Sequence, residues 1–440
     1  MQSKQFQSSL SPTISHTAMI ALLLATAFAL AIGVIPASQA QTFTVLHNFT
    51  GRADGANPYA GVTVGPGGGL YGTAANGGNG NAGTVFKLKQ VNSSWIFSPL
   101  YEFTGGSDGA SPEGVGIGPN SALYGTTWKG GEYNYGTVFE LRPPLTVCKA
   151  ILCYWSESVL HTFTGAPDGA YPLVENLAFD SFGNIYGTTS GGGYYNDCLT
   201  GGCGTVFELT PSAGGYTESV IHDFGSGTDG FQPDAGVVLD TAGNVYGTTF
   251  YGGGENCDFP GCGMVYQLMP SNGGWLENVL VYFDAGNGEN PFGDLIIDGA
   301  GNLYGATMGG GQGDNRNGVV FELAPSGGEF TYSMLYTFHT SCAQYGGVAM
   351  NAAGDFFGVC DYGGANNDGW IFELKNCSET CILVDLHDFS SSDGGEGAYP
   401  PYGGPVLDAN GNLYGTSYYG GNTGGACGSK GCGVVWEIMP

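Results

Sequence analysis

The element F-T-G-x-x-D-G-A-x-P occurs at Phe49–Pro58, Phe103–Pro112 and Phe163–Pro172 and, more loosely, at Phe224–Pro233. Each copy carries one carboxylate: Asp54, Asp108, Asp168 and Asp229. Asn287-Gly288 stands at the matching place in a fifth copy, Glu396 in a last one, and a sixth lacks the element. Carboxylates beside Asn side chains and free carbonyls suit a hard cation such as Ca²⁺. The tyrosine-rich surroundings equally suit a polyhydroxylated ligand such as a glycan. The competing role is local: an Asp caps its own turn by accepting backbone N–H bonds while Gly supplies the unusual dihedral. Repetition favours that role, since a catalytic site usually breaks the symmetry of a repeat. The candidate ligands are therefore Asp54, Asp108, Asp168, Asp229 and Glu396; Ca²⁺ is one reading, and no cofactor is required by the sequence.

His47, His161, His222 and His387 share one repeat position, held elsewhere by Tyr101, Val281 and Tyr336. A position open to His, Tyr or Val is a packing position. His339 stands alone, near Cys342 in the aberrant copy. There is no G-x-S-x-G elbow, no H-E-x-x-H and no phosphate-cradling loop on a helix. A propeller enzyme with a channel metal would need acids and amides converging near the axis, and the sequence offers Glu175, Asn176 and Asp294 for that.

Twelve cysteines form five close pairs, Cys148/Cys153, Cys198/Cys203, Cys257/Cys262, Cys377/Cys381 and Cys427/Cys432, with Cys342 and Cys360 left over as a sixth. Their loops carry Gly, Asn and Asp rather than paired knuckles with histidines, so disulfides are expected and zinc is not. That implies an oxidising compartment. The N-terminus agrees: Lys4 precedes an apolar run from Ala18 to Ile35, and Ser38-Gln39-Ala40 offers small residues for cleavage after Ala40. Residues 1–40 read as a secretory signal peptide and 41–440 as one domain, with no membrane insertion after cleavage. Ten basic against 38 acidic residues give a net charge of −28. Nucleic acid and anionic membrane surfaces both repel such a chain.

The elements that must position these residues come from internal repetition. An aromatic-glycine strand recurs seven times: LYGTA (70–74), LYGTT (123–127), IYGTT (185–189), VYGTT (245–249), LYGAT (303–307), FFGVC (356–360) and LYGTS (413–417). A second strand follows each, from GTVFKL at 83–88 to GVVWEI at 433–438. Each unit reads as four short strands, a to d; in the fourth they are Gly236–Asp240, Asn244–Thr249, Gly263–Leu268 and Trp275–Phe283. A four-stranded sheet repeated radially is an all-β, seven-bladed β-propeller. The chain starts with an unpaired strand d, Thr42–Phe49, and stops at a strand c, so the first strand is expected to complete the last blade and close the ring. Strand alternation puts the b–c and d–a loops on one face.

Taken together, D-x-x-G-N-[LIV]-Y-G-T-T, G-[TV]-V-F-E-L and [LI]-H-x-F resemble the bacterial extracellular Gloeo/Verruco (GloVer) tandem repeat family across 42–440. The D-x-x-G-N-L-Y turn is also similar to that of NHL-type and lactonase-type propellers. The resemblance implies a bacterial, secreted or cell-surface repeat protein and supplies no catalytic activity. The expectation is a non-catalytic binding or scaffold module for a glycan, an envelope component or a surface protein. The alternative is a secreted propeller enzyme, a carbohydrate lyase or hydrolase or a lactonase.

Overall fold

A computed structural model describes residues 41–440, except 146–152, 174–175, 196–197, 199–200, 226, 255–256, 258–259, 314–316, 343–345, 391–396, 398–402 and 424–425. The expected leader, Cys148, Glu175 and Glu396 lie outside the described residues.

Seven four-stranded antiparallel sheets follow one another along the chain, and in each the strand order is that of the sequence, a-b-c-d. The last is the exception. Val406–Leu407, Leu413–Ser417 and Val434–Met439 supply its strands a, b and c, and Thr42–Asn48 supplies d. Thr42 lies opposite Met439 and Asn48 opposite Val434, so the first strand pairs along the whole of the last one. Seven buried apolar clusters, one between each pair of adjacent blades, confirm closure. An open row of seven sheets has six interfaces; the seventh joins Leu70 and Phe86 of blade one to Phe49, Tyr414 and Val435 of blade seven.

The repeated motifs are explained by contacts they make. In strand b the glycine after the tyrosine faces a ring of strand c: Gly72 is paired with Phe86, Gly125 with Phe139, Gly187 with Phe207. A Cβ at Gly72 would sit 2.6 Å from the Phe86 ring, so only glycine fits. The tyrosine hydroxyl donates to the glutamate of the V-F-E-L strand, at 2.9 Å for Tyr124–Glu140, Tyr186–Glu208 and Tyr414–Glu437. The D-x-x-G-N turn is tied by its aspartate; Asp240 Oδ1 accepts the amides of Ala242 and Asn244, both at 2.9 Å.

Strand boundaries differ from expectation: strand a of blade four, expected over Gly236–Asp240, is only Val238–Leu239. Strand c of blade four runs on to Ser271 and pairs with Gly274, and Pro270 sits opposite Trp275 inside the ladder. The turn is thus a two-residue hairpin loop. Pro is tolerated because a proline costs only a ladder donor.

Five disulfides join described cysteines, Cys198–Cys203, Cys257–Cys262, Cys342–Cys360, Cys377–Cys381 and Cys427–Cys432, and Cys153 is also disulfide-bonded. Cys342–Cys360 closes the longest loop, 18 residues, and both partners are buried in the blade five–six core. Chain entropy assigns it about 3 kcal/mol. The Cys342→Ala/Cys360→Ala protein should therefore melt several degrees below wild type in a thermal scan. Removing the four-residue Cys377–Cys381 link should cost clearly less.

Candidate functional site

The four repeated aspartates stand beside strand d, the outermost strand of each blade. Each accepts bonds from the start of its own turn. Asp54 Oδ2 takes the Thr50 amide at 2.9 Å, Asp108 Oδ2 the Thr104 amide at 2.8 Å, Asp168 Oδ2 the Thr164 amide at 3.0 Å and Asp229 Oδ2 the Gly225 amide at 2.5 Å. The strand-d residue seven places earlier also reaches each carboxylate: His47 at 3.3 Å, Tyr101 at 3.2 Å, His161 at 3.1 Å and His222 at 3.2 Å. Burial pushes the Asp54, Asp168 and Asp229 carboxyls up, but the histidine and turn hydrogen bonds outweigh it and hold them below the ordinary range. The histidines are thus more than packing residues. Their rings contact Phe49, Phe163, Phe224 and Phe389, and three of them also hold an aspartate.

The A-x-P end of the same element builds a different site. Each proline packs on the glycine that opens strand c of the preceding blade: Pro112 on Gly83, Pro172 on Gly136, Pro233 on Gly204. The residue before the proline is forced into the left-handed region, φ 53° at Ser111, 58° at Tyr171 and 59° at Gln232. Such a conformation is costly for residues with a Cβ and doubly so before proline. It persists because the amide donates across the blade boundary, Ser111 to Ala82 O, Tyr171 to Tyr135 O and Gln232 to Cys203 O, all at 2.8 Å.

This rigid frame presents two adjustable side chains per blade, before and after the proline, at the mouth of the central channel. The position after it reads Tyr59, Glu113, Leu173, Asp234 and Phe292 in blades one to five. Two carboxylic acids therefore break the symmetry, in blades two and four. Both line one cavity of about 670 Å³ together with Tyr59, Trp128, Tyr171 and Tyr418. Its wall is made by d–a loops and by the ends of strands b, which places both loop sets on one face.

Glu113 and Asp234 are each only 4 % exposed. Burial alone raises the Glu113 carboxyl well above its ordinary range. Burial pushes Asp234 up to about 8, against a Gln232 amide that donates to Oδ2 at 3.0 Å. Asp234 Oδ1 is buried and has no donor among the described residues. Lys129 also reaches the cavity, lying 3.8 Å over the Trp128 ring. Sequence reasoning passed over both acids because it looked at what repeats. The signal was in what does not: an acid where other blades carry Tyr, Leu or Phe.

Of the residues considered for a channel metal, Asn176 and Asp294 do meet, in a second cavity of about 640 Å³ among the strands a. Asp294 is partly buried, and burial pushes its carboxyl up to about 6, moderated by the Gly236 amide, which it accepts at 2.6 Å, and by Asn176. Its oxygens thus brace neighbouring blades. Among the described residues the set comes to one acid and one amide, and Glu175, the third residue considered, lies outside them.

The sequence pattern of the Gloeobacter/Verrucomicrobia repeat matches residues 33–259 and again 258–440. The chain belongs to that repeat family. No curated protein matches this chain. Among solved structures it is similar to the extracellular domain of a one-component system from B. thetaiotaomicron, with a TM-score of 0.52 and 12% identity over 91% of this chain and 40% of that one. It is similar to the PQQ-bound aldose sugar dehydrogenase from Streptomyces coelicolor, at TM-score 0.43 and 12% identity over 91% and 98% of the two chains. A gluconolactonase from Xanthomonas campestris gives TM-score 0.39 and 13% identity over 74% and 85%. At such identities a structural likeness speaks to fold alone. For this repeat protein the blade geometry, not a relative, must carry the functional reading.

Proposed function

We propose that the repeat protein is a secreted or cell-surface enzyme that hydrolyses a neutral carbohydrate, at a glycosidic bond or a sugar lactone, in the cavity bearing Glu113 and Asp234. The observation that carries this is two symmetry-breaking, buried carboxylic acids in one aromatic-walled cavity, neither with an ion-pair partner among the described residues. Burying an acid without a cationic partner is costly, and the fold accepts that cost twice at the same place. Glu113, with no bond favouring its ionised form, supplies a proton to the departing oxygen. Asp234, whose carboxylate is supported by Gln232, loses its proton near neutrality and activates a water. The Tyr59, Tyr171, Tyr418 and Trp128 rings offer faces on which a sugar ring can stack. A net charge of −28 disfavours polyanionic substrates.

Twelve cysteines, at least five disulfides and a signal-like leader support export. Among the described residues no helix is long and apolar enough to cross a membrane. Retention of an extracellular glycan without turnover is the second reading, favoured by the four rings in the cavity wall.

The test is a panel of neutral aryl glycosides, aldonolactones and neutral polysaccharides, with a polyuronate added to reveal lyase chemistry. Turnover by wild type that is lost in Glu113→Gln and Asp234→Asn supports the proposal. Glycan-array binding with no turnover on any substrate would replace it with the second reading.

A further inference from the structure

Strand d of neighbouring blades creates a recurring contact that none of the foregoing uses. In the four blades whose d–a turn carries the repeated aspartate, that acid and its strand-d partner stand near strand d of the next blade, at the residue opposite the leucine of V-F-E-L. That third position reads Phe97, Glu157, Glu218, Glu277, Tyr332, Leu383 and Phe43 around the ring.

The contact that each histidine makes across the blade boundary follows the third residue. Where it is aromatic, the imidazole stacks on it: His47 on Phe97 with centroids 4.0 Å apart, and His387 on Phe43 at 3.7 Å. Where it is glutamate, two complete sets arise, His161–Asp168–Glu218 and His222–Asp229–Glu277. In each, one atom per residue falls within 4.8 Å of the others. His222 Nε2 lies 3.2 Å from Asp229 Oδ1 and 3.9 Å from Glu277 Oε1; His161 Nε2 lies 3.1 Å from Asp168 Oδ2. Ligands of a tetrahedral Zn²⁺ at about 2.0–2.2 Å are separated from each other by roughly 3.3–3.6 Å. The second observation is an orphan: Oε1 of Glu218 and of Glu277 is buried and has no hydrogen-bond donor among the described residues. A buried carboxylate oxygen without a donor is costly, and a cation relieves it.

We propose that these two inter-blade triads are binding sites for a borderline divalent transition metal of the Zn²⁺ class, each with three protein ligands and an open fourth position. One nitrogen and two oxygens suit such an ion, whereas Ca²⁺ takes oxygen alone. Each site ties two blades together at the outer strands, on the far side of the blade from the channel. It is independent of the acid pair in the cavity.

The experiment is calorimetric titration of ZnCl₂, and separately CaCl₂, into chelator-treated protein of residues 41–440. Two equivalents of Zn²⁺ should bind, with a rise in melting temperature, and Ca²⁺ should not compete. His161→Gln should bind one equivalent, and His161→Gln/His222→Gln none, each keeping its metal-free circular dichroism spectrum. Tyr101 stands opposite Asp108 and Glu157 at the same place, so Tyr101→His should raise the stoichiometry to three. Absence of Zn²⁺ binding by wild type, or a stoichiometry that these three variants leave unchanged, overturns the proposal.

Discussion

A protein lacking Thr42–Asn48 should fail to unfold cooperatively, and a permutant that carries those seven residues after Pro440 should recover. The deletion strips strand d from blade seven, leaving the Val434–Met439 strand without its outer partner. It removes Phe43 and Val45 from the blade six–seven core and Leu46 from the blade seven–one core. With the lost ladder bonds, three half-buried apolar side chains amount to roughly 4–8 kcal/mol, comparable to the whole stability of an ordinary domain. The exposed edge is also a template for aggregation. The rescue follows from register: Thr42 lies beside Met439, so a short hairpin loop joins them in the way Asn272-Gly273 joins the strands of blade four. Circular dichroism melts and light scattering of the two proteins decide it. A deletion variant that melts like wild type would mean that blade seven stands without its borrowed strand.

That closure was legible in the sequence because it rests on periodic features: glycines forced by Phe86 and its equivalents, hairpin signals, and a stray strand at one end matching a missing one at the other. The short-range disulfides were legible for the same reason, as loop closures within one unit. The roles of Asp54, Asp108 and Asp168 were half legible. Sequence showed a turn acid, but its bond to the histidine or tyrosine seven places earlier was not read, and the facing residue of the next blade, Phe97, Glu157 or Glu218, lies 43 to 50 positions further on, where only the blade-to-blade rotation brings it close. Glu113 and Asp234 were least legible. Neither belongs to a local motif, they are two blades apart, and what distinguishes them is burial beside a cavity formed by five blades. Repetition reveals architecture, and departures from it reveal the site only once the axis is known.

Glu113→Gln and Asp234→Asn should each lower turnover by about 10²–10⁴-fold, the usual contribution of a positioned acid or base, while making the protein more stable. The second half follows from linkage. Both folded-state carboxyls are raised, Asp234 from 3.8 to about 8 and Glu113 well above its ordinary range. Between about pH 4 and pH 8 the folded protein therefore holds protons that the unfolded chain has released, and its stability declines as pH rises through that interval. Stability from these two groups is fully present below the unfolded pKa and lost by the folded one. An uncharged amide carries no such dependence. At pH 7 the Asp234→Asn protein should gain on the order of 2–4 kcal/mol, seen as a higher melting temperature, with the difference from wild type vanishing near pH 4. Wild-type kcat/KM should rise with pH toward about 8 as Asp234 ionises to act as base, and this limb should be absent from residual Asp234→Asn activity. Should both variants melt below wild type at every pH, the two acids would be stabilising struts, and their burial would no longer argue for catalysis. Gain of stability joined to loss of turnover is the signature expected only where a fold holds costly groups for the sake of chemistry.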